Sequence, residues 1–146
     1  MRSIVWTFVL VAPLAGDDKT EDPAAADLKR LAGTWQAVAA EEGGEAAVAD
    51  TAKQLRLVFD GDKFKAYFGD TVLMAGTVKL DPAAKPKAID LRSTEGRLAG
   101  KTGEGIYELD GDKLKLCLVE PGDKRPTEFK TAKQGQHLLA YERVKK

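Results

Sequence analysis

The sequence is poor in the side chains that build metal centres and covalent active sites. It contains one cysteine, Cys117, and one histidine, His137. A single thiol excludes an intrachain disulfide. A zinc site draws three or four ligands from His, Cys, Asp and Glu, so one His and one Cys leave little to build on, and no metal ligand is assigned. A cysteine nucleophile needs a base beside it, and the only histidine lies far along the chain. Charge of one sign is lacking too: 23 Lys plus Arg balance 23 Asp plus Glu. A zero net charge argues against a nucleic-acid surface or a polyanionic partner. Long apolar runs are missing as well. The one hydrophobic stretch, residues 4–14, is broken by Thr7 and falls short of the ~20 residues a membrane-spanning helix needs. Gly96, Gly100 and Gly103 lie in a charged loop, residues 93–103, without the GKS/T ending or the strand–loop–helix setting of a phosphate loop. No cofactor is indicated.

The N-terminal stretch MRSIVWTFVLVAPLA (residues 1–15) fits a secretory signal peptide. Arg2 is a minimal positive region, and cleavage is expected after Ala15. It has no lipobox cysteine. The mature chain is therefore expected outside the cytoplasm, in the periplasm, the cell envelope or the medium, with no stable membrane insertion once the leader is removed. Residues 16–22, GDDKTED, read as an acidic linker. Residues 23–146 form one domain by length.

What the sequence has in abundance is alternation of period two. Asp22-Pro23 reads as a helix start, with Asp at the N-cap and Pro in the first turn. Leu28 and Leu31 then share a helical side, and Gly33 ends the helix. From Thr34 onward the pattern is that of strands. Trp35, Ala37 and Ala39 share one face. Leu55, Leu57 and Phe59 follow, then Phe64, Ala66 and Phe68, then the long run Val72, Met74, Gly76, Val78, Leu80. Ile89 and Leu91 lie beyond the proline-broken DPAAKPK. The sharpest hairpin is GIYELDGDKLKLCLVE, in which Tyr107 and Leu109 face Leu116 and Leu114 across a Gly111-Asp112 turn. Cys117 lies in the opposite phase and reads as a partly buried, inert thiol. A short strand is expected over residues 127–130 and a last one over 137–144. Residues 46–54 read as a loop with a short helix.

The hairpin LVFDGDKFK repeats YELDGDKLK fifty residues earlier. Two aspartates per turn invite a calcium reading, but an EF-hand loop spreads its ligands over twelve residues and ends on Glu. Two hairpin turns of like chemistry explain the match. Tight turns without helical crossovers make the sheet antiparallel, and about eight strands suit a closed up-and-down barrel or a sandwich.

Inside such a barrel the apolar positions converge. The candidate ligand-binding residues are Leu57, Phe59, Phe64, Met74, Ile89, Tyr107 and Leu116, with Tyr107 as a polar handle in an apolar pocket. Ala37, Ala39, Ala66 and Gly76 leave room beside them. No catalytic residue is assigned: the carboxylates sit mainly in turns, and no motif surrounds Ser93.

Two resemblances sharpen the reading. Gly33-Thr34-Trp35, just after a short helix, resembles the Gly-x-Trp motif of lipocalins. In that family the Trp packs across the closed end of the barrel against a basic residue near the end of the last strand, where Arg143 stands. A guanidinium over an indole contributes about 0.5–2 kcal/mol. Gly33, Trp35 and Arg143 are thus the expected barrel floor. The blocks LKRLAGTW, LDPAAKPKAIDL and GIYELDGDKLKLCLVEPGDKRPTEF, in order from Leu28 to about Val144, resemble a lipocalin-like domain family abundant in planctomycete bacteria, for which no activity is established. The resemblance implies an all-β, eight-strand antiparallel barrel of calycin type with a short N-terminal helix. The leading functional expectation is non-enzymatic binding of a small apolar ligand. The alternative is a solid-core interaction or structural module of the cell envelope.

Overall fold

The computed structural model describes residues 22–145. The expected leader and nearly all of the linker lie outside the described residues. The order is α1 (Pro23–Leu31), β1 (Gly33–Glu42), β2 (Glu45–Ala46), α2 (Ala49–Ala52), β3 (Leu55–Asp60), β4 (Lys63–Phe68), β5 (Thr71–Asp81), β6 (Ala88–Gly96), β7 (Thr102–Asp110), β8 (Lys113–Val119) and β9 (Gln136–Arg143). Strands β1 and β3 to β9 pair antiparallel in chain order, and β9 returns to β1, closing an eight-strand barrel. The two-residue β2 only folds back on the end of β1. The fold is the expected all-β, lipocalin-like barrel with a short helix before it.

Both DGDK turns adopt the register read from the sequence. Asp60 pairs with Lys63 and Phe59 with Phe64; Asp110 pairs with Lys113 and Leu109 with Leu114. Gly61 and Gly111 hold φ of 62° and 60°, a conformation that costs a glycine little. Both turns lie at the end of the barrel that α1 covers. Helix α1 buries Leu31 and Asp27 and half-buries Leu28. Gly33, at φ 124°, then swings the chain into β1. Asp22 begins the helix through its carbonyl, which accepts from the Ala26 N–H at 2.9 Å, and not through its side chain.

Four expectations need correction. Strand β1 carries a bulge at Val38: Ala37 pairs with Tyr141, but Ala39 pairs with Ala140. The extra residue shifts the phase, so Ala39 leaves the inner face and is exposed. A second bulge, at Leu73, puts Val72 opposite Tyr67 while Met74 keeps its place opposite Ala66. Val72 and Leu73 are left exposed on the rim with Phe68. Counting by two cannot see an inserted residue. The loop expected over 93–103 is mostly strand, since β6 runs to Gly96 and β7 starts at Thr102. Finally, residues 127–130 form no strand. They belong to a long segment, 120–135, laid across the outer face of β6, β7 and β8. Arg125 fastens it there, donating to the carbonyls of Ile89 (3.1 Å) and Gly105 (2.8 Å) and to the Asp90 carboxylate (2.7 Å). This cover explains why Ile106 and Cys117, which point outward, are both buried. The Cys117 thiol donates to the Lys130 carbonyl at 3.4 Å, and burial pushes it above the usual thiol range.

Candidate functional site

The barrel interior divides into a solid half and a hollow half. The solid half lies under α1. Trp35 and Arg143 are cross-strand partners on β1 and β9, and the guanidinium carbon stands 4.3 Å from the indole centroid. The same two side chains close the C-terminus of α1, whose last carbonyls have no partner within the helix. Trp35 Nε1 donates to the Leu31 carbonyl at 2.8 Å. Arg143 donates to the carbonyls of Ala32, at 2.8 Å, and of Arg30. Its Nε reaches Asp112 in the second DGDK turn at 3.0 Å. Gly33 completes the arrangement, because a Cβ there would come within 3.3 Å of the Arg143 guanidinium. The expected floor of Gly33, Trp35 and Arg143 is thus assembled in space.

Beside it sits a charged cluster with no counterpart in the sequence reading. Asp27 of α1 is 2 % exposed. Its carboxylate accepts from Tyr107 Oη at 2.6 Å, Arg30 at 2.7 Å and Lys87 Nζ at 3.1 Å. Burial alone would raise this carboxyl. The hydrogen bonds from Tyr107 and Lys87, the Lys87 charge and the Arg30 bond outweigh burial and hold it below its ordinary value. Burial first, and then the bond to Asp27 and its charge, push the Tyr107 phenol well up. Tyr107 is therefore not a free handle for a ligand; its hydroxyl is already engaged with the helix. A signal for Asp27 existed. It stands four residues before Leu31, on the same buried face of α1.

The hollow half holds a cavity of about 630 Å³. Leu57, Phe64, Met74, Leu91, Leu116 and Leu139 form much of its wall, and Arg97, Glu120 and His137 stand at its mouth. Of the seven sequence candidates, Leu57, Phe64, Met74 and Leu116 reach this cavity. Phe59, Ile89 and Tyr107 do not: they lie nearer the floor and pack in the solid half with Trp35 and Leu31. Alternation places a residue inside the barrel but not at a height along its axis. The space near Gly76 is also not free. A Cβ there would fall 1.8 Å from the Arg92 carbonyl oxygen, so close backbone packing fills it, beside a third bulge at Thr94 of β6 in the β5–β6 pairing. Ala66 does face the cavity. The 46–54 segment contributes nothing to the lining. The 97–101 turn does, through Arg97 and Leu98.

Two lining residues carry hydroxyls: Ser93 on β6 and Tyr141 on β9. Alternation from Arg143 would have found Tyr141, two residues earlier on the same face. At the mouth, His137 Nε2 lies 3.9 Å from Glu120 and 4.0 Å from Glu42. Among the described residues no group of three or more His, Cys, Asp or Glu could hold a metal ion. The Asp112 carboxylate of the DGDK turn is taken by Lys145 and Arg143, which hold it below its ordinary value.

No known family matches this chain, and neither does any curated protein or solved structure. The geometry must carry the functional reading.

Proposed function

We propose that this protein is a non-enzymatic carrier, exported from the cytoplasm, that holds one small and largely apolar molecule in the hollow half of its barrel. The observation that carries the proposal is the cavity of about 630 Å³, within the roughly 300–1,000 Å³ common to small-molecule sites. Its wall is mostly apolar, with leucine, phenylalanine and methionine prominent, so affinity comes chiefly from apolar area removed from water, at about 25 cal/mol per Å². A cavity of this size counts against a solid-core module. In support of binding over catalysis, the charged side chains of the lining stand at the mouth and not against the depth of the cavity. Export rests on the leader-like residues 1–15, and a place in the planctomycete lipocalin-like family rests on the three sequence blocks.

The test is titration of the mature chain with anilinonaphthalene sulfonate, beside an Ala66→Trp variant that places an indole in the cavity. Saturable one-site enhancement that Ala66→Trp abolishes, with the melting temperature kept, is the expected result. Absence of saturable binding, or binding indifferent to the indole, overturns the carrier reading.

A further inference from the structure

Two hydroxyls in the cavity wall lack an adequate partner. Tyr141 is 6 % exposed and lines the cavity. Among the described residues nothing accepts from its phenol or donates to it, and burial is the sole influence pushing that phenol up. Ser93 is 2 % exposed, and among the described residues its hydroxyl reaches only the Met74 sulfur, 3.4 Å away. A thioether is a weak acceptor. The two residues sit on β9 and β6, with β7 and β8 between them around the wall. Tyr141 stands opposite Ala37 and Leu114, toward the floor, and Ser93 opposite Gly76, farther up.

The contrast with Tyr107 is instructive. Its side chain is buried too, and its hydroxyl meets a carboxylate at 2.6 Å. The described residues thus supply a partner for the tyrosine of the solid half and none for the tyrosine of the hollow half. Buried polar groups are overwhelmingly hydrogen-bonded, and an unmade bond carries the desolvation cost of the group. A partner for Tyr141 must come from whatever fills the cavity. An ionised group at that depth would meet no countercharge from the lining, since Arg97, Glu120 and His137 stand at the mouth, and an unpaired buried charge is far costlier than a dipole.

Building on the carrier reading, we infer that the ligand is an uncharged, mostly apolar molecule with a carbonyl or ether oxygen inside the barrel, which accepts from the Tyr141 hydroxyl, with Ser93 as a second donor. Tyr141 and Ser93 are then the specificity-determining residues of the cavity.

A matched pair of probes tests this: valerophenone, an aryl ketone, and pentylbenzene, a hydrocarbon of similar shape. Binding of each to the mature chain is followed by ligand-observed NMR. The wild type is expected to prefer the ketone by about fivefold, the worth of one net hydrogen bond. Tyr141→Phe should remove most of that preference and leave pentylbenzene binding unchanged. Ser93→Ala should remove a smaller part, and Tyr107→Phe none. In the free protein Tyr141→Phe should melt no lower than wild type, because it deletes a hydroxyl without a protein partner. A wild type that binds both probes without preference, as it would if trapped water served both hydroxyls equally well, overturns the inference and leaves the carrier reading standing. So does a preference that survives Tyr141→Phe combined with Ser93→Ala. A wild type that binds neither probe overturns both readings.

Discussion

Tyr107→Phe isolates a single atom of the contact that fastens helix to barrel. The ring remains, and with it the packing of a side chain that is 1 % exposed. Only the 2.6 Å bond to Asp27 is lost. Asp27 keeps Arg30 and Lys87, so its charge is not orphaned. A hydrogen bond to a charged acceptor contributes about 1.5–3 kcal/mol, and with the charge still paired the lower half of that range applies, about 2 kcal/mol. For a domain of this size that corresponds to a fall of about 5–10 °C in Tm. The pH dependence follows from the direction of the Asp27 shift. Its carboxyl is held below the ordinary value in the folded state, so its contribution is complete above the unfolded value of about 3.9 and fades as pH falls through the folded one. The gap between wild type and Tyr107→Phe should be full at pH 7 and should shrink below about pH 4. Thermal melts followed by circular dichroism at neutral and acid pH read both quantities. A double-mutant cycle with Asp27→Asn should show coupling of about 1–2 kcal/mol. An unchanged Tm at neutral pH, or additive effects in the cycle, would refute the view that Asp27 latches α1 to the floor.

Three further outcomes are expected. Arg143→Ala removes the bonds that close α1, the stack on Trp35 and the Asp112 pair, and should cost about 2–4 kcal/mol in urea unfolding. Arg143→Lys should recover less than half of that, since an ammonium cannot fork between two carbonyls; full rescue would assign the effect to charge alone. Gly76→Ala drives a Cβ into the Arg92 carbonyl, at 1.8 Å, and should destabilise by about 3 kcal/mol or more; a neutral effect would show that the β5–β6 bulge can yield. Cys117, fully buried with its thiol pushed upward, should react with a thiol reagent only as fast as the protein opens. Rapid labelling in native buffer would mean that the 120–135 segment does not cover it.

Much of the fold was legible because it rests on local chemistry. The two DGDK turns fix their hairpins through glycine at positive φ, and each pairing on either side follows by counting. The floor was legible for a different reason: Gly33-Thr34-Trp35 resembles the Gly-x-Trp motif, and Trp35 in the first barrel strand meets Arg143 in the last across the seam. What counting missed is what adds or removes a residue. The bulges at Val38 and Leu73 shift the phase: Ala39 turns outward, and Val72 ends exposed on the rim. Within the long cover over β7 and β8, the short strand expected over residues 127–130 does not form, because Arg125 pins that segment by bonds to strand carbonyls. In the candidate site, alternation assigned Phe59, Ile89 and Tyr107 correctly to the interior but said nothing of height. The partner of Tyr107 is a helical aspartate 80 residues away, which no local pattern announces.

The seam between β1 and β9 also sets an order in time. Every other neighbouring pair of barrel strands is consecutive or nearly so in the chain, whereas the bond from Arg143 to the Ala32 carbonyl spans 111 residues. The entropy of closing a loop grows with its length, and pairings remote in sequence are slow to form. The hairpins can therefore assemble early, and the ring is joined last. Until then β1 and β9 both present bare strand edges, the surface on which unfinished β-proteins recruit one another. Weakening the seam should accordingly speed unfolding more than it slows refolding, the mark of contacts made after the transition state. The guanidinium that plugs the floor is thus also the clasp that ends the chain's most vulnerable interval.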